Sequence, residues 1–528
     1  MRIAVATALL VAAVSTLGTE PSGAARSPHA GAVHLELAAL HEPHRAMGDH
    51  FGHAVAISAG GTEVLVGAYG ASGGRGAAYL FAASAGGWRA TPIATFSGPP
   101  TPASGYGIAV ALSPDGRTAY VGADSARVGG RAAAGAVSVY AWSHGRWPTR
   151  PTRVIVDPGA GVDEYFGVAV AVAPDGSAVV IGSPGRRVGG TVDAGAAYVY
   201  AASHGVVGPG RPTTLLGPSE GAGLFGFSVA ISDDAGGHGV LVVGADGTAI
   251  RAQASAGAAY LYDANGRGAF TPAPGGALLD PGRAGGDAFG AAVAVDAAGT
   301  LVLVGAQGET ARGATAAGSV FAYEQLRGAW ARSQTLTGAD TRAAGFASPS
   351  ISADGAVVVA GAPNEPVGHH PAAGAAFVYV RAGATLLPGA EITDPTGGGA
   401  GQEYFGAPSA LSANGDVSVI GAEATAGTRT GPGPGAAYVF EVAPHPSIRS
   451  IAPRRGPAAG GTPVTITGSG LAGATAVRFG TAPVRTLQAG AAGRSITVVS
   501  PPHAAGAVRI AVTTPGGTST SGQTFTYT

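Results

Sequence analysis

The stretch Glu164–Gly185 reads EYFGVAVAVAPDGSAVVIGSPG. An aromatic-Gly pair opens it, Asp175-Gly176 separates two apolar runs, and Gly-Ser-Pro closes it. Close variants return as DHFGHAVAISAGGTEVLVGAYG at 49–70, SGYGIAVALSPDGRTAYVGADS at 104–125 and QEYFGAPSALSANGDVSVIGAE at 402–423. The residues after the opening aromatics are Gly52, Gly107, Gly167, Gly226, Gly290, Ala347 and Gly406, spaced 55 to 64 residues apart. A second mark follows each of them, at Gly67, Gly122, Gly182, Gly244, Gly305, Gly361 and Gly421. A third, of the GAAYVY type, lies at Gly76–Phe81, Gly135–Tyr140, Gly195–Tyr200, Gly257–Tyr262, Gly318–Tyr323, Gly374–Tyr379 and Gly435–Phe440. Such self-similarity signals a repeat fold.

Each copy reads as four strands. FGVAVAV, AVVIGSP and GAAYVYAAS are the first three, and RPTTLLG or AWARSQTLTG represents the fourth. The first two are joined by APDG, SPDG, SADG or SANG, where Asp-Gly and Asn-Gly tolerate positive φ and form tight hairpins. The strands are rich in Val, Ala and Ile with little polar alternation, so both faces are covered. Seven four-stranded units of this kind fit an all-β, seven-bladed propeller. A straight stack of the same units is the alternative. The last copy lacks a fourth strand and the chain leaves it near Pro444, whereas Ala32–Leu40 precedes the first copy with fourth-strand character. That strand is expected to close the seventh unit.

These residues resemble the FG-GAP repeat, named for its Phe-Gly and Gly-Ala-Pro landmarks, which builds the propeller of integrin alpha chains and of many bacterial secreted proteins. Phe166-Gly167 with Gly182-Ser183-Pro184, and Phe346-Ala347 with Gly361-Ala362-Pro363, are the clearest marks. The resemblance implies calcium in many members, held by an Asp/Asn-rich loop between the first two strands. Here those loops are SAGG, SPDG, APDG, DDAGG, DAAG, SADG and SANG, too poor in alternating oxygen ligands for such a site. Asp115, Asp175 and Asp354 read as turn formers, and no cofactor or metal is expected.

From Pro446 the pattern changes. Ile451, Pro453, Gly456, Gly460, Gly461, Thr462, Thr465, Ile466, Gly468, Gly470 and Leu471 look like the start of an IPT/TIG domain, an immunoglobulin-like module. The expected organisation is a signal peptide at 1–25, the propeller at 32–443 with 32–40 closing it, and the IPT/TIG domain at 446–528. The first segment carries Arg2, an apolar run from Ile3 to Leu17 and small residues near Ala25, the pattern of secretory export. Its apolar run is short for a membrane span.

Composition narrows the function. Of 528 residues 12% are charged and the net charge is −1, which argues against an electrostatic nucleic-acid binder. There is no cysteine, so disulfides and thiolate chemistry are excluded. All 30 basic residues are arginine. Motifs that suggest chemistry mostly dissolve. GSGLAG at 468–473 precedes a strand, not the helix a dinucleotide site needs. GASGG at 70–74 sits in a glycine-rich loop and lacks the helix of a nucleophile elbow. His41, His44, His50 and His53 read as exposed loop histidines.

One pattern survives. The loop between the second and third strands carries Arg75, then Arg127 and Arg131, Arg186 and Arg187, Arg251, Arg312, His369 and His370, and Arg429 in successive copies. Arginine suits carboxylate and sulfate groups. On the same face Asp49, Asp163, Glu164, Asp287 and Glu403 are expected to offer neutralising partners. The resulting expectation is a secreted or surface-associated, non-enzymatic, monomeric binding or adhesion module that recognises an extracellular protein or glycan, an anionic glycan included. An extracellular enzyme, a hydrolase or lyase with a site at the propeller channel, and an envelope or matrix component are the alternatives.

Overall fold

The computed structural model describes residues 34–84, 87–99, 103–159, 161–218, 221–233, 239–264, 270–282, 284–311, 313–338, 344–370, 372–396, 403–424, 433–442, 446–469, 471, 474, 476–484, 487–489, 495–514 and 517–528. The expected signal peptide lies outside them. The described residues are nearly all β, and their one helical segment is the single turn Ala71–Gly74, which is left-handed at Ser72, Gly73 and Gly74, with φ of 56°, 73° and 83°. No helix among them is long and apolar enough to cross a membrane.

Up to Val442 the described strands form seven antiparallel sheets in chain order. The third illustrates the unit. Val170–Val172 pairs with Ala178–Ser183, which pairs with Ala196–Ser203, which pairs with Thr213–Leu216. The hairpin between the first two strands turns at Gly176, φ 72°, a left-handed conformation that glycine adopts without strain. Asp175 shapes this turn by accepting from the Ser177 N–H at 2.9 Å. Asp115 and Asp354 do the same in the second and sixth sheets. In the seventh sheet the fourth position is taken by His34–Leu40, which runs antiparallel to Ala436–Val442 with Leu35 opposite Glu441 and Leu40 opposite Ala437.

The three glycine marks share one cause. A Cβ on Gly182 would meet the carbonyl oxygen of Gly226 in the next sheet closer than 3.0 Å, and a Cβ on Gly195 would meet that of Phe225. Gly226, at φ 93°, lies in turn against the Ala196 carbonyl. Each joint between sheets is therefore main chain on main chain, and a side chain there would force the sheets apart. The same contacts link the seventh sheet to the first. Gly421 faces Gly52, Gly435 faces Phe51, and Gly52 faces Ala436. Ala347 breaks the glycine rule yet keeps the joint, since a Cβ on Gly305 of the fifth sheet would meet the Ala347 carbonyl oxygen closer than 3.0 Å.

Side chains complete the joints. Seven clusters of buried residues each draw on two neighbouring sheets, and one of them joins Val64, Val66 and Phe81 to Val419 and Val439 across the first and last sheets. The landmark aromatics sit at their centre. Phe51, Phe166, Phe225, Phe289, Phe346 and Phe405 are fully buried, each against aromatics of its own third strand. At roughly 1.5–3 kcal/mol for each large side chain removed from water, these clusters are a major driving force for closing the chain of sheets on itself.

Beyond Pro446 two further sheets face a separate core of Ile451, Val464, Ile466, Val477, Phe479, Ile510 and Phe525. One pairs Ser447–Ala452, Pro463–Ser469, Ser495–Val499 and Leu487–Ala489. The other pairs Gly517–Tyr527, Gly506–Thr514 and Ala476–Phe479, with the short strands Arg455–Gly456 and Ala482–Pro483 at its edges.

Candidate functional site

In an antiparallel meander the loops between second and third strands emerge at the same end as the connections into the next sheet. Hydrogen bonds tie the two sets together. The Asp163 N–H donates to the Ala132 carbonyl, Leu224 to Asp193, Gly286 to Ala254, Gly345 to Ala316 and Glu403 to Ala372, all at 2.9–3.1 Å. One continuous loop face results, running from the second sheet to the seventh.

In sheets two to six the loops end in tight turns, marked by backbone pairs Val128 with Arg131, Val188 with Thr191, Ile250 with Gln253, Ala311 with Ala314 and Val367 with His370. Arg127, Arg131, Arg187, Arg251 and His369 are exposed there, and His370 is half-buried. Arg127 and Arg187 each donate to a carbonyl of their own turn, Gly130 at 2.7 Å and Gly190 at 2.8 Å, which holds the guanidinium over the turn. In the first sheet Arg75 is exposed but follows the one-turn helix, a different loop shape. Arg312 and Arg429 lie outside the described residues.

Arg186 departs from the expectation. Its guanidinium turns inward and donates to Glu164 at 3.0 Å, to Asp157 at 3.5 Å and to the Gly159 carbonyl at 2.6 Å. It serves the interior and not the face. The acids expected to neutralise the face also depart. Asp49, Glu164, Asp287 and Glu403 are at most 4% exposed, and of the five only Asp163 is exposed. The basic turns are thus not covered by these carboxylates.

The buried acids form a system of their own. Glu42, Asp157, Asp280 and Asp394 each end a fourth-position strand, followed by proline, and sit with Asp49, Glu164, Asp287 and Glu403 ahead of the landmark aromatics of sheets one, three, five and seven. The other three connections carry Gly98, Gly217 and Gly338 at the first of these places. Third-strand tyrosines donate to three of the acids: Tyr79 to Glu42 at 3.1 Å, Tyr198 to Asp157 at 2.6 Å and Tyr438 to Asp394 at 3.2 Å. Burial, reinforced by the hydrogen bond and charge of Asp49, pushes the Glu42 carboxyl up to about 8. In sheet five Phe321 replaces the tyrosine and Glu309 takes the place of Arg186. Asp280, Asp287 and Glu309 bring three carboxylate oxygens within 4.8 Å of one another, a grouping that could hold a cation, and burial raises Glu309 to about 7. The sequence motifs assign no metal ligands; Asp287 reads there only as a neutralising acid, and Asp280 and Glu309 carry no motif of their own. The repeated acid-Pro pairs were the available signal.

The histidines are corrected as well. His53 Nδ1 lies 2.6 Å from Glu423 across the joint of first and last sheets, and His50 stacks on Tyr69 at 4.5 Å. Burial alone would raise Glu423, but the hydrogen bond and charge of His53 outweigh it and hold the carboxyl below its usual value. Burial lowers His50. His50 and His53 are therefore packed parts of the joint and not free loop side chains. At the opposite end of the sheets, a cavity of about 570 Å³ is lined by Asp263, Glu324 and Arg381, the last two ion-paired at 2.5 Å.

Residues 36–81 match the FG-GAP repeat, and residues 446–527 match the IPT/TIG domain. No curated protein is matched by the chain.

Proposed function

We propose that this FG-GAP and IPT/TIG chain is an exported, non-enzymatic binding module. Residues 32–443 form a closed seven-bladed propeller, and the IPT/TIG domain at 446–528 serves as its spacer. Both domain types suit adhesion or binding, and both are common outside the cell. The propeller uses its loop face to recognise an extracellular partner that presents anionic groups, an acidic glycan foremost. One observation carries this reading. Arg127, Arg131, Arg187 and Arg251 are exposed on that face, while four of the five carboxylates expected to offset them are buried, and of the remaining acids the half-buried Asp193 lies within reach of the charge of Arg187. Exposed guanidinium groups held over their turns without an ion-pairing carboxylate favour carboxylate and sulfate oxygens.

The test is retention of the purified chain on immobilised sulfated or carboxylated glycans against neutral ones, across a salt series. Binding through guanidinium groups weakens steeply with salt, since the Debye length falls from about 10 Å at 0.1 M to about 3 Å at 1 M. Replacing Arg127, Arg187 and Arg251 together by alanine should abolish retention. Replacing Arg478, exposed in the second domain, should leave it intact. Equal retention on neutral and acidic glycans would refute the reading.

A further inference from the structure

The turns of the loop face are not equivalent in backbone strain. In sheets two and three the turn centres are Gly129-Gly130 and Gly189-Gly190, with φ of 55° and 84°, and of 57° and 94°. These are type I′ geometries, for which glycine is the unstrained choice. In sheet four the same turn is built from Arg251 and Ala252 at φ 49° and 69°. The Ile250 and Gln253 backbones still exchange both hydrogen bonds, at 3.0 and 2.9 Å, so the turn is fully formed. Two consecutive residues with a Cβ therefore occupy left-handed backbone at an exposed tip. Nothing in the packing requires them, since neither side chain is buried. Strain retained at a solvent-exposed position points to use.

The strained arginine fills a gap in a series. Sheets two and three place their arginines beside glycine tips, as Arg127 and Arg131, and as Arg187. Sheet four has no basic residue flanking its tip, and its one cation is the tip itself. In sheet five Arg312 stands in the sequence where Arg251 stands in sheet four, between the paired Ala311 and Ala314. Sheet six offers His369 and His370. Among the described residues, four of these five turns bring at least one basic residue, and each loop is hydrogen-bonded to the connection into the next sheet, which keeps the turns in a fixed order. The first sheet does not continue the series, because its loop is the one-turn helix Ala71–Gly74.

We infer that the loop face is a multivalent track for a linear polyanion, laid across sheets two to six, and not a pocket for a single anionic group. The inference rests on the reading of this face as anion-binding and adds the partner's form, a chain of repeated sulfate or carboxylate groups. Each turn contributes a weak contact, and affinity comes from engaging several at once, so that ligand length decides binding.

The experiment uses the full chain and a size-graded series of heparin-derived sulfated oligosaccharides, from disaccharide to about twenty sugars, measured by calorimetry at low salt. Affinity should climb by about tenfold or more between short and long members and then level off once the track is spanned. Arg251→Gly supplies the second arm. It relieves the left-handed strain, so its melting temperature should rise, while its affinity for the longest oligosaccharide should fall by about threefold or more. Length-independent affinity would overturn the track and leave the anion-binding reading standing. An Arg251→Gly variant that is more stable and binds unchanged would remove the functional reason for the strained tip and overturn the track likewise. Failure of every oligosaccharide to bind would sink the anion-binding reading itself.

Discussion

Replacing Glu42 by glutamine should stabilise this protein at pH 8 and change little at pH 5. Glu42 is 4% exposed, lies two residues past the closing strand His34–Leu40, and accepts the Tyr79 hydroxyl at 3.1 Å. Burial and the neighbouring Asp49 carry its carboxyl from the usual 4.5 to about 8. A carboxyl raised on folding contributes stability that is complete below its unfolded value and is lost as pH climbs to the folded one. The window is therefore 4.5 to about 8, and holding the proton across all of it costs the folded state up to about 5 kcal/mol relative to the unfolded chain. Relaxation and water entry reduce that figure, and about 2 kcal/mol is a reasonable yield for the variant at pH 8. The amide reproduces the protonated acid. Its oxygen can accept from Tyr79 and its NH2 can donate to Asp49.

Thermal unfolding of both proteins at pH 5, 6, 7 and 8 reads the difference, with a gain of about 2–5 °C expected at pH 8 and close to none at pH 5. The half-buried His41 and His50, whose imidazoles are lowered, act in the opposite sense and cost stability as pH falls below 6.5. They are common to both proteins and cancel in the comparison. Parallel pH profiles for the two proteins would refute a protonated Glu42.

Two further outcomes follow from adjacent features. Arg186→Ala leaves Asp157 and Glu164 buried without their guanidinium and should destabilise by about 2–4 kcal/mol while leaving retention on acidic glycans unchanged, whereas Arg187→Ala should weaken retention at unaltered melting temperature; equal behaviour of the two variants would contradict the inward turn of Arg186. Deleting 32–40 exposes the edge of Ala436–Val442 and should cause aggregation, or a melting temperature lower by roughly 5 °C or more, as followed by light scattering and calorimetry.

The sheets were legible because their signals are local or periodic. Asp-Gly hairpins, the three glycine marks and the GAAYVY strands can each be read within a few residues, and their return fixes the unit. The strand ahead of the first copy was legible from its place before a polar loop and the missing fourth strand at the other end. The site was less legible because its geometry is set between distant residues. Arg186 and Arg187 are neighbours in the chain, yet one meets carboxylates 29 and 22 residues upstream and the other meets its own turn. The acids ahead of the landmark aromatics read as neutralising partners on the face because they lie in connections, but four of the five are buried where those connections meet the loops of the preceding sheet. His53 and Glu423 stand 370 residues apart, and only the return of the last sheet to the first brings them together.

The main-chain joints between sheets have a consequence for exchange of parts. The glycine-against-carbonyl contact recurs at every seam, so a unit cut at its connections should be transferable to another position, with its loop intact, wherever the buried side chains of its new neighbours match those it leaves. The scaffold then behaves as a rack of interchangeable cartridges, in which the tips can be rewritten one at a time while the seams stay the same.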